Sequence, residues 1–416
     1  MYQTFKPSLA VLIMSLPFLL FPSASHAQVP LTLPETVHLA LAANDPGVKA
    51  LEMKAQAFED KAIADSQLPD PVLSTQIANF PLASLDYNRE AMTQLKFGIS
   101  QKLPKGQTLI LTRNKRQTEA RSYRAQKALI ERQIVLQARQ TWLELYYWRE
   151  AKRLTLESRK QVSELGGVAK SVFASGRSSL QDVLRVELET TALDAKLLDI
   201  ERKRDMARAT LERLLGPVNG ARPLATKPPL LPVLPDQSEI RGRLAAHPSI
   251  RVLQARIKAR SYDVDLAEQQ YKPGFSFNAQ YGLRDSRSDF GSLGVSVSMP
   301  LFSKTSKDRA LSAAKRMRAA QKLERDVQAL ELERQLRGQW ASYKRLDERI
   351  QLYERDVLPR ARETSEAAMS AYSNQLADFS ELVRAELAVL NTELTLARLR
   401  TDRLKAHAML LYLSGE

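Results

Sequence analysis

The sequence predicts a mainly α-helical chain with a small transmembrane β part, assembled from a duplicated long helical hairpin. Three observations predict it. Two stretches about 200 residues apart repeat each other in register. Each repeat contains a helical run of about seventy residues, far longer than a globular domain is wide. Each also contains two short segments in which apolar and polar residues alternate, the period of a strand with one buried face.

The duplication organises the chain. Residues 172–188 read VFASGRSSLQDVLRVEL and residues 371–387 read AYSNQLADFSELVRAEL, an offset of 199 that pairs Phe173 with Tyr372, Asp182 with Glu381, Arg185 with Arg384 and Glu187 with Glu386. The same offset pairs Gly216 with Gly415, each just past a Leu-rich helix end. Upstream, LALAANDPGVKAL around Pro46 matches RLAAHPSIRVL around Pro248 at an offset of 202. Between the copies lie Pro217, Pro223, Pro228, Pro229, Pro232 and Pro235. So many prolines favour an extended strap over a helix interior. The organisation read from this is a leader at 1–27, a first repeat at 28–216, a Pro-rich linker at 217–237 and a second repeat at 238–416.

The leader reads as a secretory signal peptide. Lys6 is its single charge, an apolar stretch covers 9–21, and Ser25-His26-Ala27 is a small-x-small cleavage site. No later apolar run reaches the roughly 18 residues of a transmembrane helix. Cysteine is absent, which removes disulfides, thiolate metal sites and a lipidated N-terminal Cys. Export without cysteine suits a bacterial periplasm or outer membrane.

Within each repeat the expected order is the same. A helix at 35–67 or 238–271 is stopped by Pro69 and Pro71 or by Pro273. Two strands follow, at 71–82 and 92–102 or at 274–284 and 292–302. A long helix then runs over 105–174 or 304–373, and a last one over 178–215 or 376–413. Leu336, Trp340, Tyr343, Asp347, Ile350, Glu354 and Val357 step by four and three, a heptad seam with two acidic interruptions. Seventy helical residues make a rod of about 105 Å. The two shorter helices of a repeat, laid end to end, match that length.

The alternating segments carry the membrane signal. Phe275, Phe277, Ala279, Tyr281 and Leu283 alternate with small polar residues, as do Val295, Val297 and Met299. In the first repeat Leu95, Phe97 and Ile99 do the same, and Leu73 and Ile77 oppose Ser74 and Gln76. Ten residues is the length of a tilted transmembrane strand. Leu95, Phe97, Phe275, Phe277, Tyr281, Val295 and Val297 are therefore the expected lipid-facing residues. Polar loops at 83–91 and 285–291 join the strands and are expected as extracellular tips. Four strands cannot close a barrel, because the smallest membrane barrels have about eight, and open edges are not tolerated in lipid. Spanning therefore requires several copies to share one barrel. Three copies give twelve strands, although closure alone does not select three. The competing reading of the strands is a small soluble sheet.

The formal charge is +15, or +14 without Lys6. Basic and acidic residues are interleaved at helical spacing, as in Glu331 to Arg337, so a solvated helix surface is expected and a nucleic-acid partner is not. The basic cluster at 113–116, with Arg121 and Arg124, is placed near anionic lipid headgroups. His26, His38, His247 and His407 are scattered and Met residues are isolated, so no metal site or cofactor is expected. No nucleophile-elbow or phosphate-loop motif is present, and no enzyme is expected.

In order and duplication the motifs resemble the TolC-type outer-membrane efflux proteins. They are the AAND-Pro46-Gly47 opening, LPDP at 68–71, GISQKLPKG at 98–106, SVSMPLF at 296–302 and the two hairpin tips. LPDPVL, NFPL and MTQLKFGISQ look most like members from heavy-metal efflux systems. The resemblance implies a homotrimer with a shared 12-stranded β-barrel in outer-membrane lipid and an α-helical barrel in the periplasm. It implies a passive exit duct, fed by an inner-membrane pump of the resistance-nodulation-division type through a periplasmic adaptor, with metal cations as a cargo.

By the same resemblance the hairpin tips close the duct and meet the adaptor. Ser175, Gly176, Arg177 and Ser178, with Asn374, Gln375 and Leu376, are the expected adaptor contacts, and Asp182, Asp378, Glu381 and Arg384 the expected periplasmic gate. Gly176 suits a tight turn, whereas its counterpart Gln375 does not. Arg384 has two readings, a partner for a neighbouring copy's carboxylate or an ordinary i,i+3 pair with Glu381. The alternative to a duct is a periplasmic coiled-coil scaffold whose short strands form a soluble sheet.

Overall fold

The computed structural model describes residues 29–176, 179–374 and 376–415. The leader assigned to 1–27 lies outside the described residues.

The first repeat holds α1 (Leu33–Ala42), α2 (Pro46–Ala64), β1 (Val72–Ala78), β2 (Gln94–Leu103), α3 (Thr108–Ala174) and α4 (Leu180–Leu215). A single turn, α5 (Pro217–Gly220), opens the Pro-rich linker. The second repeat holds α6 (Gln237–Arg243), α7 (Pro248–Gln269), β3 (Gly274–Leu283), β4 (Phe290–Ser298), α8 (Lys304–Leu352), α9 (Leu358–Ser373) and α10 (Phe379–Ser414). The protein is mostly helical with one four-stranded antiparallel sheet, as expected.

The opening helix of each repeat is broken where one helix was expected, and at equivalent prolines. Pro46 stands at the first position of α2, and the Asp45 side chain accepts hydrogen bonds from Gly47 N (2.7 Å) and Val48 N (3.3 Å). Pro248 stands at the first position of α7, and His247 Nδ1 accepts from Ser249 N at 3.3 Å. Proline fits the first turn because it has no N–H to leave unpaired, and the residue before it is pushed out of helical geometry.

The helices form ordered layers. α2 and α4 lie one beyond the other along α3, α3 packs next on α7 and α10, and those in turn pack on α8 and α9. The sheet order β1-β2-β3-β4 runs the same way, since β1 follows α2, β2 leads into α3, β3 follows α7 and β4 leads into α8. Sheet and helical layers therefore end on the same two sides. β1 with α2 and α4 forms one edge, and β4 with α8 and α9 the other.

The core follows the seams. Trp142, Leu143 and Leu145 of α3 pack with Leu31, Leu33, Leu211, Leu214 and Leu215. The Trp142 indole N–H, wholly enclosed, donates to Leu31 O at 3.0 Å. In the second repeat Ile240, Leu244 and Ile250 meet Leu332, Leu336, Leu410 and Leu413. The linker is strapped across the first of these cores. Leu31 and Leu224 form a parallel bridge, Arg149 donates to Leu224 O and Ala225 O, and Arg222 pairs with Glu35 at 2.8 Å.

Three local readings differ from expectation. The run 304–373 is not uniform, because Tyr353–Val357 form a π-helical turn between α8 and α9. Pro359 removes one donor and its ring crowds the carbonyl four residues back, and a wider turn absorbs both. The acidic interruptions of the seam are paired on α10, Asp347 with Arg403 at 2.7 Å and Glu354 with Arg400 at 2.7 Å. Three members of the cluster at 113–124 are paired with carboxylates of the same chain, while Arg113 donates to the Ser66 hydroxyl. Lys115 meets Asp263 at 2.6 Å, Arg116 meets Asp65 at 2.7 Å and Arg124 meets Glu59 at 2.7 Å.

Candidate functional site

Register turns four weakly patterned strands into one two-faced surface. Leu73 stands opposite Ile99, Thr75 opposite Phe97 and Ile77 opposite Leu95. Phe97 stands opposite Tyr281, and Leu95 opposite Leu283. Phe275 stands opposite Val297, and Phe277 opposite Val295. Residues directly opposite share a face, so all seven expected lipid-facing residues lie on one side. Only Thr75 and Gln101 interrupt it. Phe277 and Tyr281 are each 51% exposed and Val295 is 60% exposed, while Leu95 is half-buried. An apolar face this continuous and this open is unlike a monomer's ordinary surface.

The opposite face is polar and cross-linked. Ser100 Oγ donates to Asn278 Oδ1 at 2.6 Å and lies 3.2 Å from Ser276 Oγ, and Asn278 Nδ2 donates to Ser296 Oγ at 3.0 Å. Both edge strands keep an unpaired row of backbone groups, because β1 pairs only with β2, and β4 only with β3. Asn79, at φ 56°, ends β1 well before the expected residue 82. The two inter-strand loops hold each other, with Tyr87 Oη donating to Leu283 O and Arg284 Nη1 to Ala91 O.

The other candidate site is the pair of hairpin tips. At the first, Gly176 takes φ 72° and donates to Phe173 O at 2.8 Å. Ser175 Oγ donates to Val172 O at 2.7 Å. Arg177 and Ser178 lie outside the described residues. Ser179 caps α4, its Oγ accepting from Asp182 N while its own N donates to Asp182 Oδ2, each at 3.3 Å. Asp182, an expected gate residue, is thus half of a capping box.

At the second tip, Gln375 lies outside the described residues. Asn374 Nδ2 donates to Ser370 O at 2.9 Å, and Leu376, whose N donates to Ala371 O, is openly exposed. Asp378 occupies the position before α10 without a side-chain capping bond. Glu381 and Arg384 pair at 2.7 Å within the chain, both more than half exposed. Such a pair contributes a few tenths of a kcal/mol, about 0.3–0.5.

Sequence reasoning missed what joins the tips. Phe379 is buried against Tyr372, edge to face at 5.2 Å between ring centres. The first tip has exposed Phe173 and Leu180 in those positions. Burial, and then the Asp182 charge on the other hairpin, push the Tyr372 phenol up. Below this, Val162, Leu165 and Val186 of the first hairpin share a core with Leu382, Val383 and Leu390 of the second. Aromatic residues at the tip were visible in the duplication, but their burial depends on the second hairpin lying alongside.

Among the described residues no helix is long and apolar enough to cross a membrane, and no group of three or more His, Cys, Asp or Glu side chains could hold a metal ion.

The fold has known counterparts. The outer membrane protein VceC of Vibrio cholerae superposes with a TM-score of 0.76 at 18% identity, covering 92% of this chain and 96% of that one. A membrane protein of Pseudomonas aeruginosa gives 0.79 at 16% identity over 92% and 90%. CusC, described as forming a transmembrane channel, gives 0.75 at 14% identity over 98% of both chains. No curated protein matches the sequence. The family model for outer membrane efflux protein matches residues 240–416, which is the second repeat. The match confined to the second repeat makes that half similar to the outer membrane efflux proteins, and the fold is shared with these solved proteins over nearly the whole chain.

Proposed function

We propose that three copies of this chain form an outer-membrane duct through which substrates leave the cell passively. One observation carries the reading: an exposed apolar sheet face that ends in two unpaired strands. In lipid the apolar face is satisfied and the edges are not, so β1 of one copy must meet β4 of the next. The helical layers end on the same sides as the sheet, so one rotation closes both. A twelve-stranded barrel and a periplasmic helical barrel follow from three copies. A soluble scaffold would leave the face of Phe277, Tyr281 and Val295 in water.

In this reading the helical tips point into the periplasm. The tip residues Ser175, Gly176, Arg177, Ser178, Asn374, Gln375 and Leu376 meet an adaptor, which joins the duct to a pump of the resistance-nodulation-division type. Asp182, Asp378, Glu381 and Arg384 surround the constriction. Asp182 does so while capping α4, and Arg384 while paired to Glu381 of its own chain. The LPDPVL and MTQLKFGISQ segments support a place in the heavy-metal branch, with metal cations as the cargo.

Membrane fractionation followed by mass measurement in mild detergent tests the duct. An outer-membrane particle of three protomers is expected, and a soluble monomer or dimer would overturn the reading. Phe277→Arg is expected to cost about 2–4 kcal/mol of barrel stability if the residue sits near the bilayer midplane. Undiminished assembly of that variant would count against the membrane placement.

A further inference from the structure

The charge inside the sheet is one-sided. The four strands contain two charged residues, Lys96 and Lys102, and no carboxylate. Lys96 stands opposite Gln76 and Gly282, and Lys102 opposite Ser276, so both belong to the polar face. Neither makes an ion pair or side-chain hydrogen bond among the described residues, and their polar-face neighbours are serine, asparagine, glutamine and glycine, with Val72, Ala78 and Phe290 at the strand ends.

The cationic character continues at the helical rim. Lys105 follows β2, Lys272 precedes β3, and Lys304 and Lys307 follow β4, all at the end of the sheet where Leu103 pairs with Phe275 and Gly274 with Ser298. The Lys272 Nζ lies 3.0 Å from where a Cβ on Gly106 would stand, and the Lys105 side chain 3.6 Å from where one on Gly274 would, so the two chains converge on one junction. Burial, and then the Lys105 charge, pull the Lys307 amine down. Carboxylates near this rim include Asp70, Glu268 and Asp308, and Asp308 accepts the Tyr271 hydroxyl at 2.6 Å. Both extracellular loops, by contrast, carry both signs.

We infer that the β-barrel is an anion-favouring section of the duct, in series with the constriction proposed at Asp182, Asp378, Glu381 and Arg384. The inference rests on the duct reading above, because only barrel closure turns the polar face inward. Closure then repeats Lys96 and Lys102 in every copy around one lumen. Rings of fixed ammonium groups in a pore with low-dielectric walls concentrate anions and repel free cations. Small polar partners leave that field uncompensated and the passage wide. A metal cargo passing such a collar would do so as an anionic complex.

The test is the reversal potential of the purified trimer in planar bilayers under a potassium chloride gradient. The wild-type potential is expected on the chloride side, and largest in dilute salt, because the screening length falls from about 10 Å at 0.1 M to about 3 Å at 1 M. Lys96→Gln with Lys102→Gln should move it toward zero, and the same pair changed to Glu should carry it to the potassium side, with trimer mass checking assembly. A wild-type potential on the potassium side, or one unmoved by the four substitutions, would overturn the inference while leaving a conducting duct. Absence of conductance from an intact trimer would instead overturn the duct reading and the inference with it.

Discussion

The two long helices are copies of each other, yet the structure uses them differently. α3 runs 67 residues without interruption and buries Trp142, Leu143, Leu145, Leu154, Val162 and Leu165. Its counterpart is split by a π-helical turn, and α8 buries only Leu332, Leu336 and Ile350. The cause is position. α3 is enclosed by α2 and α4 on one side and by α7 and α10 on the other, while α8 and α9 end the layers. Leu323 and Leu330 of α8 are 66% and 72% exposed, and in the proposed assembly a neighbouring copy would cover them. Duplication therefore sets length and polarity, and place in the layer sets how much of each helix becomes core.

The largest effects should come from breaking the enclosed helix. Trp142→Ala is expected to cost about 3–5 kcal/mol by denaturant unfolding, since it empties a packed site and removes one of the two hydrogen bonds to Leu31 O. Trp340→Ala, half-buried on α8, should cost clearly less. Equal costs would show that the two helices are equally enclosed, against the layer argument.

Proline exchange sharpens the same contrast. Lys160 of α3 aligns with Pro359 at the repeat offset of 199. Lys160→Pro should cost about 3 kcal/mol, because α3 has no wider turn to receive it. Pro359→Ala should cost little and slow amide exchange over Tyr353–Val357 as the ladder becomes regular. Unchanged exchange there would mean that something other than the proline holds the π turn.

A smaller effect separates the repeats by pH. Burial holds the His247 imidazole below its ordinary value of 6.5. Burial does the same to His407. Both are therefore neutral when folded and take up protons more readily when unfolded. The stability they contribute is complete above about pH 6.5 and is lost as pH falls below it. The denaturant midpoint should drop between pH 7.5 and 5.5, and His247→Gln with His407→Gln should flatten that slope. Glu144 acts lower still. Burial raises its pKa, but the Lys405 and Arg398 charges outweigh burial and hold it below 4.5, so its share of stability survives until the pH falls beneath that value.

The smallest effect on folding is expected at the second tip. Arg384→Ala should change stability by no more than about 0.5 kcal/mol, since both partners are exposed. A larger change in duct opening than in stability would support the gate role proposed for Glu381 and Arg384.

Much of this was legible from residues alone because it is local or periodic. The prolines at 46 and 248 were part of the evidence of duplication, and they also mark the breaks in both opening helices. Asp182 was legible as an acid near a tip but not as a capping partner, since its distance to Ser179 depends on where α4 starts. Asp347 and Glu354 looked like defects in a seam, because their partners Arg403 and Arg400 lie on a helix some fifty residues away. The basic run at 113–124 looked free for the same reason.

The sequence by itself determined the duplication, the order of the elements, the number of strands and the absence of cysteine chemistry, all of which depend on residue type and spacing along one chain. Only the tertiary structure decided which charges are cancelled, where Pro359 is absorbed and which strands stand beside the lysines. Those outcomes depend on distances between segments far apart in the chain. A one-residue shift in strand register would have sent Lys96 and Lys102 to the apolar face and Phe277 to the polar one.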